Sequence, residues 1–89
     1  MNEQLEPLRE QIDDIDHQLL ALLSQRMERV AQIGKIKKQS NLPSLQPSRW
    51  QAVLSDREMN GQRLGLSPEL VLTIWECIHK EALSIEENI

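Results

Sequence analysis

Arg26 and Lys37 stand where a long amphipathic helix calls for aliphatic side chains. Leu8, Ile12, Ile15, Leu19, Leu22, Arg26, Val30, Ile33 and Lys37 follow one another at intervals of three or four residues. On an α-helix they make a single stripe. Seven of the nine are aliphatic and two are cations. A cation on a buried seam is costly unless an anion meets it there. The pair therefore either closes ion pairs with another helix or offers a socket to an anionic ligand. Arg26 and Lys37 are eleven residues apart, which returns to nearly the same face about 16 Å further along the axis. Two long side chains leaning toward each other from those positions leave a gap suited to a small molecule.

Other charges border the same surfaces. Arg9 precedes Arg26 by seventeen residues, about 25 Å away and about 100° round the helix. Within one chain it cannot reach the gap, but an antiparallel partner helix could deliver it. Arg49 lies one turn before Val53 on a second helix. Ala82 and Glu86 lie one turn apart beside Ile78 and Ile85 on a third. A structural account fits these residues equally well. Charged seam positions fix register in coiled coils, Arg9 and Arg49 near helix starts are ordinarily solvated, and Glu86 near a fraying end is exposed by default. The residues alone leave both readings open.

The remaining chemistry is sparse. His17 and His79 have no partners at metal-ligand spacing, so no metal site is expected. Asp13, Asp14 and Asp16 read as a solvated, helix-pairing face, and lone Cys77 as a small buried hydrophobe. Neither a nucleophilic triad nor a glycine-rich phosphate loop is present.

Three helices must position these groups. The first starts near Pro7, which suits a first turn, and runs to about Ser40 with Gly34 as its only glycine. Such a helix is roughly 50 Å long, more than a compact chain of this size can cover. Pairing with a second copy is the natural remedy. The segment from Asn41 to Gln46 reads as a loop. Pro47 opens the second helix, which runs to about Asn60; Gly61 is placed to end it, with Gly65 in the following turn. Ser67-Pro68-Glu69 supplies a cap, a first-position proline and a first-turn acid. The third helix then runs to about Glu87, with Val71, Ile74, Trp75, Ile78, Ala82 and Ile85 on its apolar face.

The bulk numbers set limits. Eighty-nine residues make one domain, 1–89, with neither Phe nor Tyr and only three Gly, so aliphatic side chains must build an all-α core. A net charge of −4 without a basic run removes the usual footprint of nucleic-acid binding. No apolar run approaches the roughly 20 residues of a membrane span. A single cysteine and a polar, acidic N-terminus fit a reducing, cytoplasmic setting.

Taken together, the residues resemble a known family. Leu8-Arg9-Glu10-Gln11-Ile12-Asp13-Asp14-Ile15-Asp16, Leu19 through Arg26, and Ile33-Gly34-Lys35-Ile36-Lys37 resemble the first helix of the all-helical chorismate mutases. Arg49 with Val53-Leu54 is similar to their second helix. Gly65-Leu66-Ser67 with Ile74 through His79 is similar to their third. The likeness covers about residues 5 to 87. It implies an all-α, intertwined homodimer of three-helix chains in which the long first helices pair and two equivalent sites form. It also implies an isomerase that converts chorismate, a small dicarboxylate, to prephenate in phenylalanine and tyrosine biosynthesis, with no cofactor and no metal. A fused or partner shikimate-pathway enzyme belongs to the same expectation.

By that resemblance Arg9 enters the partner subunit's site, while Arg26 and Arg49 grip substrate carboxylates from their own chain. Lys37 reaches a carboxylate and the ether oxygen, and Glu86 faces that oxygen. Three positions depart from the family pattern. Ala82 stands where a serine often helps bind a carboxylate, Trp50 replaces an acidic residue that often contacts the ring hydroxyl, and Gln46 replaces a common aspartate. Gln46 could supply the hydroxyl contact by side chain or backbone. Alternatives are an isochorismate pyruvate-lyase, which shares fold and pocket, and a non-catalytic regulatory or interaction domain. Product analysis separates them.

Overall fold

The computed structural model describes residues 3–89 as three helices. The first two residues of the expected 1–89 domain lie outside the described ones. Helix α1 spans Leu5–Gln39, α2 Pro47–Arg63 and α3 Pro68–Glu87. Helix α1 begins two residues before Pro7. A proline costs nothing there, because the first four N–H groups of a helix have no intrahelical partner.

Both interhelical turns are built from the chain's left-handed residues. Asn41 adopts φ 55°, and the N–H of Leu42 donates to the carbonyl of Lys37 at 2.8 Å. Gly65 adopts φ 79°, and the N–H of Leu66 donates to the carbonyl of Gly61 at 2.9 Å. Each is the six-to-one bond that closes a helix when the residue after its cap turns left-handed. At the start of α3 the Ser67 hydroxyl accepts from the N–H of Leu70 at 3.2 Å, as its N-cap position demands.

Helix α3 packs against both α1 and α2. Val71, Ile78 and Ala82 of α3, Val30 of α1 and Val53 of α2 form the buried core. Two sequence expectations change here. Gly61 does not end α2, which continues to Arg63. It is a buried packing position instead: a Cβ there would lie 2.6 Å from Cγ2 of Val71. Cys77 is exposed, not buried, because it lies one residue before Ile78 and so about 100° round the helix from the buried line. Ile74 also stays exposed, while Trp75 and Ile85 are half-buried.

The chain is elongated, with extents of 59 × 25 × 15 Å and a radius of gyration of 16.7 Å. A compact chain of this length would have about 12 Å. The excess is the N-terminal half of α1. Every described residue through Gln25 is exposed, and Leu8, Ile12, Ile15, Leu19 and Leu22 are each more than half exposed. Among the described residues no helix is long and apolar enough to cross a membrane.

Gly61→Leu is expected to destabilise the fold by about 1–3 kcal/mol, since the new side chain must displace Val71 or part α2 from α3. Urea denaturation at one fixed protein concentration reads this directly. An unchanged midpoint would mean that the two helices do not meet at Gly61.

Candidate active site

One face of each helix turns toward a common cleft of about 270 Å³. That volume lies near the lower end of ordinary small-molecule sites, about 300–1,000 Å³. Helix α1 contributes Arg26, Val30, Ile33 and Lys37, which are consecutive members of its stripe. The stripe thus divides: its first five aliphatic members are uncovered, and its last four form a wall. Ser44 and Gln46 come from the α1–α2 loop, and Arg49, Trp50 and Val53 from the first turns of α2. Helix α3 adds His79, Ala82, Leu83 and Glu86 at helical spacing.

Six of the seven residues singled out from the sequence line this cleft: Arg26, Lys37, Gln46, Arg49, Ala82 and Glu86. Arg9 is not among its lining residues. It lies on the uncovered half of α1, with Nη1 3.1 Å from Oε1 of Glu6, both side chains exposed.

Lys37 and Glu86 meet near the C-terminal ends of α1 and α3. Nζ of Lys37 lies 2.6 Å from Oε1 of Glu86, with the two side chains 18 % and 8 % exposed. The sequence default of a solvated Glu86 therefore does not hold. Its cause is Gly34, one turn before Lys37. A Cβ on Gly34 would lie 3.2 Å from the Cα of Glu86, so the glycine lets the helix backbones approach closely. Nζ of Lys37 also donates to the Ser44 carbonyl at 2.6 Å, which fastens the loop over the cleft. A long flexible ammonium is thus held from two sides.

The cleft concentrates positive charge in an otherwise acidic chain. Arg26, Lys37 and Arg49 set against Glu86 leave a formal +2 among its lining side chains, whereas the whole chain carries −4. Burial holds the Arg26 guanidinium below its usual pKa, and the charges of Arg57 and Arg49 push the same way. Arginine stays protonated regardless, so Arg26 presents a full positive charge to an incoming anion. Arg57 was not singled out in the sequence. Its charge adds to the lowering of the Arg26 pKa, and its own guanidinium pairs with Asp56.

Two aromatic rings complete the wall. The Trp50 ring and the His79 imidazole are stacked, with centroids 3.8 Å apart and planes 7° from parallel. Burial pushes the His79 pKa below its ordinary value; Glu86 opposes this, and Arg26 and Lys37 add to it. Sequence reasoning weighed His79 only as a metal ligand and missed this placement. The signal was present, since residues 79, 82 and 86 share one helical face. Among the described residues no cluster of three or more His, Cys, Asp or Glu side chains could hold a metal ion.

With this geometry, an anion bearing two carboxylates would meet a fork-shaped guanidinium at Arg26, another at Arg49, and a fixed ammonium between α1 and α3. Similarity to known proteins follows the same lines. The chain is 34 % identical over 85 residues to the T-protein of Enterobacter agglomerans, covering 96 % of this chain and 23 % of that protein. It is 34 % identical over 93 residues to the bifunctional chorismate mutase/prephenate dehydratase of Aquifex aeolicus, covering 98 % and 25 %. The T-protein of Haemophilus influenzae is likewise 34 % identical over 86 residues, covering 97 % and 23 %. The chain spans about a quarter of the length of these relatives. Residues 8–87 match the family described as chorismate mutase type II, and with three helices converging on one basic cleft, the chain belongs to that family.

Proposed function

We propose that this chain is a chorismate mutase, rearranging chorismate to prephenate in aromatic amino-acid biosynthesis. The observation that carries the reading is the cleft's formal +2, presented by arginine forks and one immobilised lysine within the residues that match the family. The reaction is a unimolecular [3,3] rearrangement. The allylic ether C–O bond breaks, a C–C bond forms, and the electron pairs move in a ring with no external proton, nucleophile or oxidant.

The protein's task is therefore conformational and electrostatic. A flexible dicarboxylate must be folded into a chair, and negative charge gathering on the ether oxygen must be met. Arg26 and Arg49 suit the first task, since bidentate carboxylate contacts fix orientation. Lys37 suits the second, because a cation already in place stabilises the oxygen more in the transition state than in the ground state. Glu86 holds Lys37 in position in the free protein. Facing the ether oxygen, it would assist only as a neutral donor. Gln46 and Ala82 line the substrate's periphery.

Arg9 acts from a second copy in this reading. The exposed half of α1 carries five aliphatic stripe residues and Arg9 on one projecting helix. An antiparallel partner would cover the apolar surface and bring its own Arg9 toward the cleft, giving an intertwined homodimer with two shared sites. The single 1–89 domain would then be the mutase unit, either free or joined to a further enzyme, as the Aquifex relative's name describes. A cytoplasmic setting fits this role.

Incubation with chorismate should yield prephenate. Release of pyruvate from isochorismate without prephenate formation would favour the lyase, and binding without turnover a regulatory domain. The melting temperature should rise with protein concentration, and a compact monomer in sedimentation at low micromolar concentration would remove the shared site. Arg9→Ala and Arg26→Ala should each lower kcat/KM by about 10²–10³-fold. Mixing the two variants under subunit exchange should restore activity, because one site of the heterodimer regains both arginines. No recovery despite verified exchange would place Arg9 outside the partner's site. Lys37→Met should cost about 10²–10³-fold, whereas Glu86→Gln should retain activity, since it removes an anion competing with substrate for Lys37. A loss for Glu86→Gln as large as that for Lys37→Met would mean that the carboxylate itself is required.

A further inference from the structure

The cations of the cleft account for a substrate's carboxylates and ether oxygen, but not for its neutral ring hydroxyl. A hydroxyl taken out of water needs a neutral partner that can both donate and accept, or its desolvation goes uncompensated. The side chains of Ser44, Gln46 and His79 are the neutral ones in the cleft wall that can both donate and accept, whereas the Trp50 indole N–H can only donate. Gln46 caps α2 without a side-chain capping bond, so its amide is a flexible group that binding would have to immobilise. His79 differs. Its ring is clamped face to face on Trp50 at 3.8 Å, and among the described residues neither nitrogen is hydrogen-bonded to another side chain or backbone group. It is thus a pre-oriented imidazole with unused hydrogen-bonding capacity, facing a cleft that already carries enough positive charge.

We infer that His79, held flat against Trp50, is the residue that recognises the ring hydroxyl of the substrate. The inference rests on the mutase reading and adds to it a specificity-determining residue. Trp50 is the positioning residue. Its stacked ring fixes the plane in which the imidazole nitrogens lie. The charged groups that bear on the imidazole are Glu86 on its own helix and Arg26 and Lys37 from α1. Burial favours the neutral form of the ring, and Arg26 and Lys37 act in the same direction while Glu86 opposes them. A neutral imidazole retains one donor and one acceptor, the pairing that a hydroxyl requires.

The test compares two substrates on three proteins. Chorismate and an analogue with hydrogen in place of the ring hydroxyl both keep the rearranging ether. The wild-type protein should prefer chorismate by about tenfold in kcat/KM, the scale of one well-made hydrogen bond. His79→Phe keeps a stacked ring and removes both nitrogens, so it should lower kcat/KM for chorismate by about tenfold and leave the analogue unchanged. Gln46→Leu should retain the preference. If the phenylalanine variant does not fold, His79→Leu supplies the same ratio. An equal loss on both substrates would reduce His79 to a structural role, and an intact preference in the His79 variants would place hydroxyl recognition elsewhere; either outcome overturns the inference while the mutase reading stands. Absence of chorismate turnover by the wild-type protein would overturn both.

Discussion

Gathering like charges in a small protein is the constraint on which the rest of this structure depends. Arg26, Arg49 and Arg57 lie close enough that each raises the cost of charging the first, and Lys37 lies on the same wall. Water would ordinarily screen such a group, but a ligand cleft must exclude water to be selective. The chain resolves the conflict with stiff elements. Each cation is carried on a helix, and the helices are locked by close approaches at Gly34 and Gly61. A single carboxylate, Glu86, is admitted to offset part of the repulsion. Were the helices free to splay, the charges would move apart and the cleft would lose its purpose.

The long first helix follows from the same constraint. Its C-terminal half is committed to the cleft wall, so little of its apolar surface serves a core within the chain. The buried core is small and contains nothing larger than isoleucine. The N-terminal half then carries a stripe that the chain cannot cover, together with an arginine that the cleft lacks. Cohesion and site completion point to one remedy, association through the same stretch of helix. In such an arrangement folding and function share an energy source, because the apolar burial that stabilises a pair also delivers charge to the site.

Much of this was legible in the chain. The intervals from Leu8 to Lys37 defined α1 and set Arg26 and Lys37 on one face, and Ser67-Pro68-Glu69 marked the start of α3 to the residue. Gly61 was misread because a glycine near a helix end resembles a terminator, and only the position of Val71 shows that it is a contact. Cys77 was misread because residue type outweighed helical phase. The burial of Glu86 depends on the backbone approach at Gly34, a relation between residues far apart in sequence that no local pattern encodes. The Trp50–His79 stack was missed for the same reason: each residue lies on its own helix, and only the α2–α3 seam joins them.

The Lys37–Glu86 pair has a bearing on how the site behaves among the many anions of a cell. A carboxylate tethered to the protein acts as if present at very high effective concentration. Any free anion seeking Lys37 must compete with it. A phosphate or a simple carboxylate gains one contact by doing so and gives one up. A dicarboxylate that engages Arg26 and Arg49 at the same moment gains more than it displaces. In the proposed mutase Glu86 would thereby work as a built-in occupant of low rank, holding the ammonium against casual guests and yielding to a molecule with enough negative charge in the right shape. Selectivity of this kind needs no moving lid and no second conformation, only an internal competitor of fixed strength.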